Sequence, residues 1–219
     1  MTGRTDRPAR PRQATGKGYP LRVGLTGPLA AGKSEVLKHI AARGIPVFSA
    51  DEAVRSLYAP GGRAVAPVSE RFPGVLDEHG GISRHRLAEI LAADPSSLAE
   101  LEAIVHPLVT QEREAFFRNV AQEGHPLAVA EIPLLFETGA ERDLDVTVAV
   151  VAPSEFRHRR ALARPGMNPQ KLRLLEARHL PAEEKSDRAD YVLVNDGTLE
   201  DLRTKTDRLI TYLQQRAKD

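Results

Sequence analysis

The chain has 219 residues, 41% of them hydrophobic, with 31 basic and 30 acidic side chains and a formal net charge of +1. That size and composition suit one sizeable α/β core with an inserted or appended subdomain. The absence of cysteine excludes disulfides and cysteine-ligated zinc, and with no long apolar run and no signal-peptide core the expected compartment is the cytoplasm, away from any membrane.

Residues 1–20 open the chain as a basic tail. Arg4, Arg7, Arg10, Arg12 and Lys17 face a single acid, Asp6, which leaves 26 basic against 29 acidic residues in the slightly acidic remainder. Few apolar residues are present to pack, so the tail is expected to be disordered. A solvated extension fits it better than a nucleic-acid-binding or membrane-binding arm.

The first strand is read from Leu21, Val23 and Leu25, which alternate as in a strand entering a core. It runs into Gly27-Pro28-Leu29-Ala30-Ala31-Gly32-Lys33-Ser34, a pattern whose glycines let backbone N–H groups wrap phosphate oxygens. Lys33 is then the ligand of the outer phosphates and Ser34 the hydroxyl for Mg²⁺. Val36, Leu37, Ile40 and Ala41 follow at helical spacing, with Gly44 where a helix commonly ends. The phosphates of a nucleotide would thus lie at a helix N-terminus, which favours negative charge.

Four more segments read as buried strands: Ile45 to Phe48, Leu127 to Ile132, Val146 to Val151, and Tyr191 to Val194. Alternating with helical patterns, they predict a mostly parallel sheet covered by helices on both faces. About 75 residues separate the second and third strands, where a minimal crossover needs about a dozen. Apolar positions at Leu87, Ile90 and Leu91 and at Leu98, Leu101, Ile104 and Val105 make this insertion, residues 59–120, mainly helical and suited to binding substrate. A second excursion, residues 153–180, carries Arg157, Arg159, Arg160 and Arg164 and suits a lid over a nucleotide. The core then comprises 21–58, 121–152 and 181–213.

Asp51 follows the second strand at the edge where ligands bind in open α/β sheets. It is a candidate to accept the proton of an attacking hydroxyl, and equally a candidate N-cap for a helix starting at Glu52. Arg160 and Arg164, four apart, can share a helix face aimed at phosphate oxygens or form a solvated basic face. His106-Pro107 has little specificity alone and reads as capping or packing. Glu131 to Glu137, alone, is a strand end with two charged flanks. The seven histidines have no metal-site spacing, so the only metal expected is nucleotide-bound Mg²⁺.

In order, Gly24-Leu25-Thr26-Gly27 with Gly32-Lys33-Ser34, Ala50-Asp51, Gly81-Ile82-Ser83-Arg84 with Leu87, Ile104-Val105-His106-Pro107, Pro133-Leu134-Leu135-Phe136-Glu137, the paired arginines, and Ala189-Asp190 with Asn195 resemble dephospho-CoA kinase over residues 21–213. The resemblance implies a P-loop NTPase-like core, a helical substrate-binding domain and a lid. It implies transfer of the γ-phosphoryl group of ATP to the ribose 3′-hydroxyl of 3′-dephospho-CoA, the last step of coenzyme A biosynthesis. The partners are then ATP, Mg²⁺ and this small-molecule acceptor, without nucleic acid or membrane, the protein being a monomer or weak homo-oligomer.

By the same resemblance, residues 27–35 bind the ATP phosphates, Asp51 is the general base, and Arg160 and Arg164 are the lid arginines. His106, Pro133 and Glu137 fall on signature positions that belong to the substrate side or its architecture, and Asn195 near the adenine pocket. The chain departs from the family pattern at Pro28, Ala30, Ala31 and Glu35, which replace Gly, Gly, Ser and Thr; at Ser49 for the first Asp of Asp-Ala-Asp; and at Pro165 and His179 for a lid Asp and Gln. These departures leave open a divergent or non-catalytic nucleotide-binding paralogue, or another small-molecule kinase on the same core. Lys33, Ser34 and Asp51, which phosphoryl transfer requires most directly, are kept.

Overall fold

A computed structural model of the chain describes residues 7–8, 20–94 and 96–218. Most of the basic tail therefore lies outside the described residues. Within it, strand β1 (Arg7–Pro8) pairs antiparallel to the last strand.

The first strand, β2 (Leu21–Thr26), leads through the phosphate loop into α1 (Lys33–Ala42). Gly44, at φ 76°, follows the helix and its N–H closes onto Ala41 O at 2.9 Å, as expected of a glycine beyond a helix end. The chain continues through β3 (Val47–Ser49), α2 (Ala50–Tyr58), α3 (Val65–Arg71), α4 (Arg84–Ala93) and α5 (Ser97–Gln122). Then come β4 (Leu127–Glu131), a short 3₁₀ turn (Ala140–Asp143), β5 (Val146–Val151), α6 (Ser154–Leu162), α7 (Pro169–Glu176), α8 (Ala182–Arg188), β6 (Tyr191–Val194) and α9 (Leu199–Arg216).

The strand order is β1-β6-β5-β2-β4-β3, and the pairs β2/β4, β2/β5 and β5/β6 are parallel. Period-two alternation assigns each side chain to a face. Leu21, Val23, Leu25, Val148, Val150, Tyr191 and Leu193 pack with α1 and α9 through Val36, Ile40, Leu209 and Leu213. On the opposite face Val151, Val192 and Val194 pack with Ala182 of α8. A methyl group on Gly24 would collide there with Leu135 and Leu144. The parallel sheet with helices on both faces is thus the observed architecture.

The chain divides into two compact units, one of residues 1–47 and 119–219, the other of residues 48–118. The insertion therefore starts earlier than residue 59. The reason is packing: Leu57 and Tyr58 of α2 share one apolar cluster with Ala64, Val68, Phe72, Val75, Ile82, Leu87, Leu101 and Val105. In this second unit Pro107 lies inside α5 rather than at its boundary, so His106-Pro107 does not cap a helix. The long helix supplies enough bonds on either side to tolerate the one N–H that proline lacks.

Candidate active site

The phosphate loop is held open by contacts that only its own residues allow. Gly27 has φ 148°, and a side chain there would strike Val150 O on β5. Gly32, at φ 104°, is the N-cap of α1, and a side chain there would strike the Asn195 amide. That amide donates to Ala31 O at 2.8 Å from a buried position. Asn195, expected near the adenine, is thus fastened to the loop itself.

Ala30 takes the left-handed conformation at φ 60°, which an alanine adopts at a cost of roughly 1 kcal/mol. Its methyl group is buried against Ala161 and Leu172, with Leu29 and Met167 packed alongside. The burial offsets the backbone cost and ties the loop to helices α6 and α7. Arg157 adds a polar tie, donating to Leu29 O at 3.5 Å and to Glu176 Oε1 at 2.9 Å.

Lys33 turns its ammonium group back to Gly27 O at 3.0 Å and Pro28 O at 3.1 Å. Ser34 and Glu35 are exposed in the first turn of α1. The Glu35 carboxylate accepts from Lys38 at 3.0 Å in an exposed pair on α1, which places a cation beside the acid that this departure brings to the loop. A cavity of about 310 Å³ is lined by residues 30–35, Arg160, Arg164, Asn195, Thr198 and Leu199. Arg160 lies near the end of α6, and Arg164 just past its C-cap Ala163. The Nη1 of Arg160 is buried without a hydrogen-bond partner among the described residues, an arrangement that an anionic ligand would relieve.

Behind the loop lies a second polar group. Glu137 Oε1 accepts from Leu180 N and from Lys185 Nζ, each at 2.7 Å, and Lys185 also donates to Pro133 O at 3.1 Å. Burial opposes ionisation of Glu137, but these hydrogen bonds hold its carboxyl below its usual range. Burial lowers the Lys185 pKa against the hydrogen bond to Glu137. His179 Nδ1 lies 3.8 Å from Glu137, too far for a hydrogen bond. Burial, then the charges of Lys185 and Lys33, push His179 down to about 4, so its ring is neutral near pH 7.

Asp51 and His106 belong to the second unit. Asp51 is exposed in the first turn of α2, and the N-cap is Ser49, whose Oγ accepts from Glu52 N at 3.4 Å. The capping alternative for Asp51 is therefore corrected: the hydroxyl two residues earlier takes that bond and leaves the carboxylate out of it. His106 has a half-exposed ring 4.0 Å from Glu102, and burial lowers its pKa. Lys185 is missing from the residues singled out by sequence, and nothing in the charged run Glu183-Glu184-Lys185 distinguishes it from a solvated helix face.

A phosphate loop at a helix N-terminus, on a parallel sheet and facing two arginines, defines the P-loop class of phosphoryl-transfer proteins. Comparison with known proteins narrows this. The family profile described as "Dephospho-CoA kinase" matches residues 21–201. The chain belongs to the dephospho-CoA kinase family.

Among its relatives, the dephospho-CoA kinase of Brucella melitensis is 44% identical over 191 residues, spanning 87% of this chain and 94% of that protein. That of Mesorhizobium japonicum is 41% identical over 192 residues, or 88% and 96% of the two chains. A crystal structure from Thermus thermophilus is 36% identical with a TM-score of 0.72, covering 89% of this chain and 98% of that one. The dephospho-CoA kinase of Campylobacter jejuni, 23% identical, shares the fold with a TM-score of 0.66 over 89% and 97% of the chains.

Proposed function

We propose that the protein transfers the γ-phosphoryl group of ATP to the ribose 3′-hydroxyl of 3′-dephospho-CoA, giving CoA and ADP. What carries this reading is the loop cavity with its unpartnered Arg160 donor, in a chain that matches the family over residues 21–201. The non-catalytic alternative loses its main support because Glu35 is paired with Lys38 and Ala30 is accommodated by packing.

In a loose phosphoryl-transfer transition state, the protein's task is positioning and charge stabilisation. The α1 N-terminus and Lys33 hold the phosphates, Lys33 exchanging its carbonyl partners for phosphate oxygens. Arg160 and Arg164 neutralise charge as the phosphoryl group moves. Asp51, uncommitted to the helix cap, accepts the proton of the attacking hydroxyl, and His106 contributes to the acceptor side.

Mg²⁺ is part of this proposal. The exposed Ser34 hydroxyl lining the cavity is a hard oxygen donor that suits a cation held mainly by phosphates and water. When bound, the ion would neutralise phosphate charge. The same reading makes the enzyme cytoplasmic, acting on small molecules as a monomer or weak homo-oligomer.

Purified protein given ATP, Mg²⁺ and dephospho-CoA is expected to release ADP and form CoA in equal amounts. The Lys33→Ala variant should lose at least about 100-fold in rate, the order of effect of removing a charge-stabilising group. Turnover no higher than that of the variant overturns the reading.

A further inference from the structure

Pro133 O is a junction. It accepts from Thr26 Oγ1 at 3.2 Å and from Lys185 Nζ at 3.1 Å. Thr26 immediately precedes Gly27, the first residue of the phosphate loop, while Lys185 reaches on to Glu137, which in turn accepts from Leu180 N. One chain of bonds thus runs from the loop's entry, through the turn after β4 and the fully buried Lys185 of α8, to the residue where the lid rejoins the core. A buried ion pair seldom repays its desolvation, and an apolar pair of similar volume often serves stability as well. Its presence between loop and lid calls for another role.

We propose that Lys185 is a positioning residue for phosphoryl transfer, which with Glu137 fixes the lid's C-terminal anchor to the phosphate loop and so presents Arg160 and Arg164 to the nucleotide. Glu137 then serves the nucleotide side of the site, as the lid's anchor, rather than the acceptor. The inference rests on the phosphoryl-transfer reading of the cavity, and its test is independent of which acceptor is used.

Each single variant, Lys185→Met or Glu137→Gln, leaves a buried partner unmatched and is expected to lower the melting temperature. The double variant removes both and is expected to recover most of it. Affinity for a fluorescent ATP analogue, measured without acceptor, should nevertheless stay at least about tenfold below wild type in the double variant, a loss that repair of stability alone would not leave. Recovery of melting temperature together with wild-type nucleotide affinity overturns the proposal. Should the double variant not fold, Thr26→Val decides, because it deletes the first bond of the chain with little change in shape. At least about threefold weaker binding in a folded Thr26→Val protein supports the link, and unchanged binding contradicts it.

Discussion

His179 stands beside two ammonium groups, and its pKa of about 4 follows from burial first and then from Lys185 and Lys33. An unfolded histidine titrates near 6.5, so the folded state favours the neutral ring. The stability this group contributes is full above pH of about 6.5 and is lost as the pH falls toward 4, by at most about 3 kcal/mol. Urea unfolding at pH 7.5 and pH 5 is expected to show a smaller loss on acidification for His179→Gln than for wild type. Equal losses would contradict the assignment. Arg160 gives a second test, because its buried Nη1, without a hydrogen-bond partner among the described residues, belongs to a planar fork that lysine cannot reproduce. Arg160→Lys should keep the charge yet lose about tenfold or more in kcat/KM for ATP, whereas wild-type kinetics would show that charge alone suffices. That the loop, Arg160 and Arg164 would line one cavity was legible in sequence because glycines, Lys33 and paired arginines carry chemistry in their identity and spacing. Lys185 was not, since its run reads as a polar helix and only the tertiary fold buries it.

Among the elements, β5 and β6 were readable to the residue, because strands buried on both faces give mostly apolar runs, that of β6 lying between Asp190 and Asn195 and that of β5 between Asp145 and Pro153 after Ala152. The two-residue strand β1 carries no such pattern and escaped notice. Local hydrogen bonding escaped too: sequence offered Asp51 as a helix cap, and Ser49 takes the bond instead. The β5/β6 pair also contains a buried stitch. Asp190 Oδ2 accepts from Thr147 N at 2.8 Å and Thr147 Oγ1 at 2.7 Å. Asp190→Ala would strand two buried donors and is expected to cost about 2–6 kcal/mol in urea unfolding, at roughly 1–3 kcal/mol for each unsatisfied group. A loss below about 0.5 kcal/mol would mean that the strands do not rely on this carboxylate.

At the scale of the whole molecule, each of the two units has its own large hydrophobic cluster, and the division follows packing rather than the length of the crossover that first betrayed an insertion. The crossover between the second and third strands put the insertion at residues 59–120, but α2 turns Leu57 and Tyr58 into the core of the second unit, which begins at Phe48. The first unit carries the loop cavity with Lys33, Arg160 and Arg164, and the second carries Asp51 and His106. The proposed reaction is the phosphorylation of one hydroxyl of one acceptor. Its most direct test is the structure of the product formed from ATP and dephospho-CoA, read by phosphorus NMR and mass spectrometry. The predicted result is a new monoester at the ribose 3′ position with one ADP per CoA, and a kcat/KM for dephospho-CoA at least about 100-fold above that for adenosine or shikimate. ADP release without the 3′ monoester, or a preference for another acceptor, would contradict it.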